Sequence, residues 1–256
     1  MGLPRILRAD DRIVGATMTA SATTTGYPVA NVTDWKEFTL HAASGANAYW
    51  IKGDAGSGVT GNCFAVAGHN WDTVGVTRIS LEGSNNDSDF TEVVADFSPP
   101  NGDDAFAKFF TQATWRYWRV SFDNNSGANF IPQTGIFYVG NYIELPRLNR
   151  TPFDVDEIED HSNIAMGGEG HLLGITNDYS TRRMKYSHSN ITQAFITNTW
   201  KPFIESYRTS QFIYVWDYES HAAEAYLVAF ANPRHAMPFG GGIWRELDFE
   251  MIGRKV

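Results

Sequence analysis

The chain has 256 residues, a net charge of −9, 43% hydrophobic residues and 14% aromatics. A chain this long and this aromatic buries a core without staples, which excludes a disordered protein. Its acidic balance argues against binding nucleic-acid phosphates, because that affinity is built from clustered Lys and Arg. The single cysteine, Cys63, excludes an intramolecular disulfide and reads as a small buried hydrophobe. No segment reaches the apolar length of a membrane span or a signal peptide, so folding in a reducing cytoplasm is expected, without membrane insertion.

In chain order, the first half reads as short strands separated by clusters of Gly, Asn, Asp and Pro, the pattern of a sandwich or barrel. Residues 48–52 and 63–68 are short apolar runs. Between 76 and 82, Ile79 and Leu81 share one face while Arg78, Ser80 and Glu82 take the other. From 116 to 122, Trp118, Val120 and Phe122 alternate with Tyr117, Arg119 and Ser121, the period of a half-buried strand. Residues 136–145 are apolar on both faces, as a central strand requires.

Residues 146–161 hold Pro146, Pro152 and five acidic residues, too charged for a core. They read as a linker. Beyond them, 182–188 alternates again, and the three basic residues Arg182, Arg183 and Lys185 fit an exposed strand face. Asn190 reads as the cap of a helix running to about Tyr207, kinked or restarted at Pro202. Strands at 211–218, 224–231 and 244–252 follow. The last is the clearest, with Leu247, Phe249 and Met251 opposite Glu246, Asp248 and Glu250. The division expected is a domain at 1–148, a linker at 149–165, and a domain at 166–256 with its helix at about 190–208.

Few motifs carry chemistry. Gly56, Gly58 and Gly61 match the dinucleotide spacing G-x-G-x-x-G, but a strand follows where a phosphate-binding helix must start, so a flexible hairpin loop is expected. The acidic run 154–161 lacks the central Gly and ligand spacing of a calcium loop, and Asp103-Asp104 reads as a turn. The seven histidines are scattered, and His69 reads as a hydrogen-bonded residue at a strand end. These readings leave no catalytic residues, no metal site and no cofactor, and the expectation is a protein that is not an enzyme. Asn70, Trp71, Asn85, Asn86 and Asp87 are the candidates for sugar-binding loops, where an indole face stacks on a ring and amides bond hydroxyls.

Five stretches in order resemble the discoidin-like (galactose-binding-like) jelly rolls of bacteriophage tail and virion proteins. They are 26–34 (GYPVANVTD), 66–71 (VAGHNW), 79–86 (ISLEGSNN), 115–122 (WRYWRVSF) and 138–146 (YVGNYIELP). The resemblance covers about residues 10–148. The second half more loosely resembles the tube-like β domains of minor and distal tail proteins, through Trp200, 212–217 (FIYVWD), 225–228 (AYLV) and 244–251 (WRELDFEM). It lacks the cysteines of iron–sulfur tail-tip proteins.

The resemblance implies an all-β chain: an N-terminal discoidin-like jelly roll and a C-terminal small β-sandwich or barrel with one helix. It also implies a structural virion protein of a tail tip or baseplate, made in the bacterial host cytoplasm. Its partners would be copies of itself in a ring, sixfold with threefold as the alternative, together with tail tube and hub proteins. Phe212, Trp216, Met237 and Phe239 are the candidate subunit contacts. The alternative reading is an adhesion module that binds host surface glycans.

Overall fold

A computed structural model of the chain describes residues 2–45, 48–100, 102–124, 130–148, 157–221, 224–232, 237–239 and 244–254, with residues 9 and 237–239 described in backbone only. The first strands are β1 (Arg5–Asp11), β2 (Thr17–Ala20), β3 (His41–Ala42), β4 (Ala48–His69), β5 (Arg78–Ser84), β6 (Thr91–Phe97), β7 (Phe106–Asp123) and β8 (Gln133–Glu144). Then come β9 (Ile158–Met166), β10 (Leu172–Thr192), a helical run at 193–207, β11 (Phe212–Val215), β12 (Ala225–Asn232), β13 (Met237–Phe239) and β14 (Trp244–Arg254). The strand pairings among the described residues are all antiparallel, in keeping with the all-β expectation. The chain divides into two compact units, Met1–Leu145 with Ile213–Tyr226, and Pro146–Phe212 with Leu227–Val256.

In the first unit the strands lie in the order β6-β5-β7-β4-β8-β1, with β2 on β4 and β3 on β8. The two longest strands of this unit are β4, with 22 residues, and β7, with 18. Each bends, so the sheet turns around one core. Ile51, Phe64, Val66, Leu81, Trp118, Val120, Phe137 and Val139 all belong to that core. The bend in β4 is where a hairpin loop was expected at residues 56–61. The register with β7 jumps between Asp54 and Val59, Gly56 takes φ +76°, and its amide bonds Asp54 Oδ1 at 2.8 Å. Glycines without a Cβ let the backbone bulge here while the strand continues on the far side.

Residues 213–215 of β11 pair with β1, in the register Arg5↔Val215 and Leu7↔Ile213. The buried carboxylate of Asp217 reinforces this return by accepting from the Gly2 amide at 2.6 Å. Residues 213–226 therefore group with the N-terminal part of the chain, although they were expected in the second domain.

The second unit has strands in the order β12-β14-β10-β9, with β13 on β14. Leu247, Phe249 and Met251 of β14 are buried, as their alternation predicts. The helical run stands over them: Trp200 stacks on Phe249 at 4.8 Å, and Phe203 meets Phe212 edge-on at 5.8 Å. Thr192, not Asn190, caps the run, accepting from the Phe195 amide, whereas Asn190 sits at φ +64° in a bulge of β10. The middle piece, Ile196–Trp200, is a π turn just before Pro202, whose missing N–H and bulky ring disturb the regular ladder. Of the expected linker, residues 149–156 lie outside the described residues, while Ile158–Met166 forms β9 and pairs with β10. Charge density alone misread that segment, because its acidic side chains stand on a solvated ribbon.

Candidate functional site

Strands β4, β7 and β5 of the first unit run side by side, and their registers fix a ladder of cross-strand triplets. Ile51, Val120 and Leu81 align on the core face. The residues between them point the other way. Trp50 aligns with Ser121 and Ser80, Lys52 with Arg119 and Glu82, and Asp54 with Tyr117 and Ser84. Successive rows lie roughly 7 Å apart along the strands, because alternate residues share a face.

Part of this outer face sinks into a cleft of about 370 Å³, lined by Ser21, Trp50, Arg78, Ser80, Glu82, Arg119, Ser121 and Asp123. Trp50 is half-buried. Ser21 locks its backbone on both sides: the Trp50 amide donates to Ser21 Oγ at 3.1 Å, and the Ser21 amide donates to the Trp50 carbonyl at 3.0 Å. Tyr49 and Phe122 also border the cleft, and both belong to the core cluster. Burial raises the Tyr49 phenol pKa and lowers that of the His41 ring it meets, so both are neutral near pH 7.

Charges on the face neutralise one another. Arg119 meets Glu82 at 2.6 Å, and the same carboxylate accepts from Ser121 Oγ at 3.1 Å. Arg78 reaches Asp96 at 2.7 Å and Asp123 at 3.7 Å. Beyond the cleft, Arg116 grips Asp54 in a fork at 2.8 and 2.9 Å, holding the Asp54 carboxyl below the usual carboxylate range. Lys52 pairs with Asp87. Arg119 also lies over the Phe90 ring at 3.6 Å, which fixes the guanidinium plane. A paired Arg and Glu in one wall present donors and acceptors side by side, and Ser80 and Ser121 add hydroxyls that do both. Such a wall suits a ligand rich in neutral hydroxyls.

The loop residues expected to hold sugar are committed elsewhere. Trp71 is fully buried, packs on Phe122 with ring centroids 4.7 Å apart, and donates Nε1–H to Thr134 at 3.2 Å, so its indole face is core rather than platform. Asn70 accepts from the Gln133 amide at 2.7 Å and donates to the Ile131 carbonyl at 3.4 Å. Asn85 Oδ1 accepts from the Arg116 amide, and Asn86 Oδ1 accepts from Ser84 Oγ and from the amides of Ser88 and Asp89. Asp87 is bound to Lys52. These are turn-closing amides.

The expected subunit contacts also change. Phe212 is completely buried against Phe203 and Phe230, so it is closed to a neighbouring chain. Trp216 is half-buried, donates to Glu224 at 2.7 Å and stacks on His221. Met237 and Phe239 lie on β13, and their side chains are outside the described residues. Asp103 sits in a bend and ties it to the loop after β4, accepting from the amides of Asp72 and Thr73. His69 bonds the Asp104 carbonyl, and burial lowers its pKa.

The residues that make the cleft were legible only in halves. The polar faces 78/80/82 and 117/119/121 stand out as alternation, but nothing in the one-dimensional pattern aligns them with each other or with Trp50. A polar alternate face carrying Arg, Glu and Ser opposite a Trp-containing run is the signal that was available.

No protein-family model matches the chain, and no curated protein matches it either. Among solved structures, a selenomethionine-labelled mutant of chitosan-binding module 1 from a chitosanase/glucanase of Paenibacillus sp. IK-5 is similar at 18% identity and a TM-score of 0.43, over 51% of this chain and 98% of that one. CpGH89CBM32-5 from Clostridium perfringens, in complex with GalNAc-β-1,3-galactose, is similar at 12% identity and a TM-score of 0.43, over 51% and 98%. The C-terminal domain of a chitobiase from Bacteroides fragilis is similar at 13% identity and a TM-score of 0.45, over 53% and 99%.

Proposed function

We propose that the first unit binds a neutral carbohydrate in the cleft over β4, β7 and β5, and holds it without turnover. The observation that carries this is one wall made of a half-buried indole, Trp50, beside the Arg119–Glu82 pair and the Ser80 and Ser121 hydroxyls. An indole covers the apolar face of a sugar ring, while vicinal hydroxyls donate to Glu82 and accept from Arg119. Each cation of the face already carries a carboxylate, so an anionic polymer gains little there.

The same pairing supports binding without turnover. Glycoside hydrolysis needs one carboxyl held protonated as an acid, with a second placed across the bond. Glu82 is committed to Arg119 and the Ser121 hydroxyl, and Asp123 lies beside Arg78, so both carboxylates of the cleft serve ion pairs. A place in a phage tail tip rests on the sequence resemblance alone.

The test is a glycan array of neutral and acidic glycans, followed by titration calorimetry with the strongest neutral binder. Trp50→Ala is expected to cost about 2 kcal/mol, or roughly thirtyfold in Kd, with the melting temperature little changed. If no neutral glycan is retained, or if Trp50→Ala binds as well as the parent, the cleft is not the site.

A further inference from the structure

The strongest unexplained feature lies in the second unit. Strands β9 and β10 form a ribbon around the turn 167–171, and its outer end carries Ile164, Met166, Leu172, Leu173 and Ile175 at 58–71% exposure. The register places Met166 opposite Leu172 and Ile164 opposite Ile175, so these four share one face. No charged side chain interrupts that face between Ile164 and Ile175: Glu169 and His171 sit in the turn.

Nothing else in the chain supports this end of the ribbon among the described residues. Among the described residues, β14 pairs with β10 from Thr181 onward and β9 pairs with β10, which leaves both edges of the ribbon's outer end without a paired strand. A lone two-stranded ribbon is marginal in water, and this one leaves its largest apolar side chains uncovered.

We propose that the apolar face of this ribbon packs on the same face of a second copy of the chain, across a twofold axis. The five side chains leave on the order of 600 Å² open per copy, so a twofold contact that covers them all buries about 1,200 Å² in total, the lower limit of a specific interface. Ordinary monomers rarely show an apolar patch beyond a few hundred Å². An uncharged apolar face is self-complementary, as a twofold contact demands. This surface is independent of the carbohydrate cleft.

The test is sedimentation equilibrium of the full chain from micromolar to millimolar concentration. The parent is expected to dimerise, and Met166→Lys combined with Ile175→Lys, two positions that are not directly opposite, to weaken the dimer at least tenfold. Both side chains are already exposed, so the double variant keeps the parent's melting curve in dilute solution. Cysteine cross-linking provides the second readout, since the native Cys63 is buried and inert. Ile164→Cys or Ile175→Cys is expected to yield an oxidised dimer, and Asn163→Cys, on the opposite face, none. A parent that stays monomeric throughout, or a double variant that dimerises like it, overturns the proposal.

Discussion

The β4–β7–β5 face and the outer end of the β9–β10 ribbon are both solvent-facing antiparallel sheet, yet they meet water in opposite ways. On the first, apolar residues point inward to a shared core, and the outward residues pair among themselves as Arg119–Glu82, Arg78–Asp96 and Lys52–Asp87. On the second, no described residue covers either side: Ile164 and Ile175 pair across the strands and stay open. A sheet with one covered face can specialise the other, as the cleft does. A ribbon with no covered face is completed by something outside the chain.

The largest effect expected from this contrast comes from making one chemical change in both places. Val120→Asp puts a charge into the first unit's core and is expected to cost more than ~4 kcal/mol, abolishing its cooperative melting. Leu173→Asp on the ribbon is expected to shift stability by no more than about 0.5 kcal/mol in dilute solution. Calorimetric melts of the two variants measure both. Equal losses would mean that the ribbon is packed within the chain, and the contrast would fail.

Asp217 is the limiting case of a polar group satisfied inside the first unit. Desolvation pushes its carboxyl up, but donation from Gly2, Ser220, His221 and Glu219 outweighs that and holds it at about 2. The folded pKa lies below the unfolded value, so the stabilisation is full above about pH 4 and lost as pH falls toward 2. A shift of this size is worth ~2 kcal/mol. Asp217→Asn is expected to melt earlier than the parent at pH 7, with the gap closing below pH 3. A constant gap across that range would show that the hydrogen bonds, and not the charge, carry the effect.

These contrasts also show what one dimension encodes. The alternation of Trp118, Val120 and Phe122, and of Leu247, Phe249 and Met251, is local and reports the buried face directly. Trp71 was misread because a Trp beside Asn and His has the composition of a binding loop, while its burial depends on Phe106, Phe122 and Thr134, which lie far along the chain. The return of 213–226 to β1 depends on pairing across some two hundred residues, and no local pattern announces it. The ribbon was hidden for another reason. Its acidic base, with Glu159 and Asp160, resembles a linker, and its apolar end is interrupted by a bulge at Leu173 that breaks strict alternation.

The smallest effect on stability separates a structural ion pair from a binding one. Glu82 and Arg119 are each partly exposed, at 21% and 24% of their side chains, so solvent screens the pair. Glu82→Gln keeps the shape of the side chain, and an amide oxygen can still accept from Arg119 Nε. The expected loss of stability is therefore below about 1 kcal/mol. Binding is expected to fall more steeply, by about tenfold, because the amide accepts fewer hydroxyl donors and leaves the Arg119 charge unbalanced beside a neutral ligand. Titration calorimetry against the neutral glycan, paired with a melting curve, reads both quantities on one variant. A variant that loses stability but binds unchanged assigns the pair to the fold and leaves Trp50, Ser80 and Ser121 as the groups that hold the sugar.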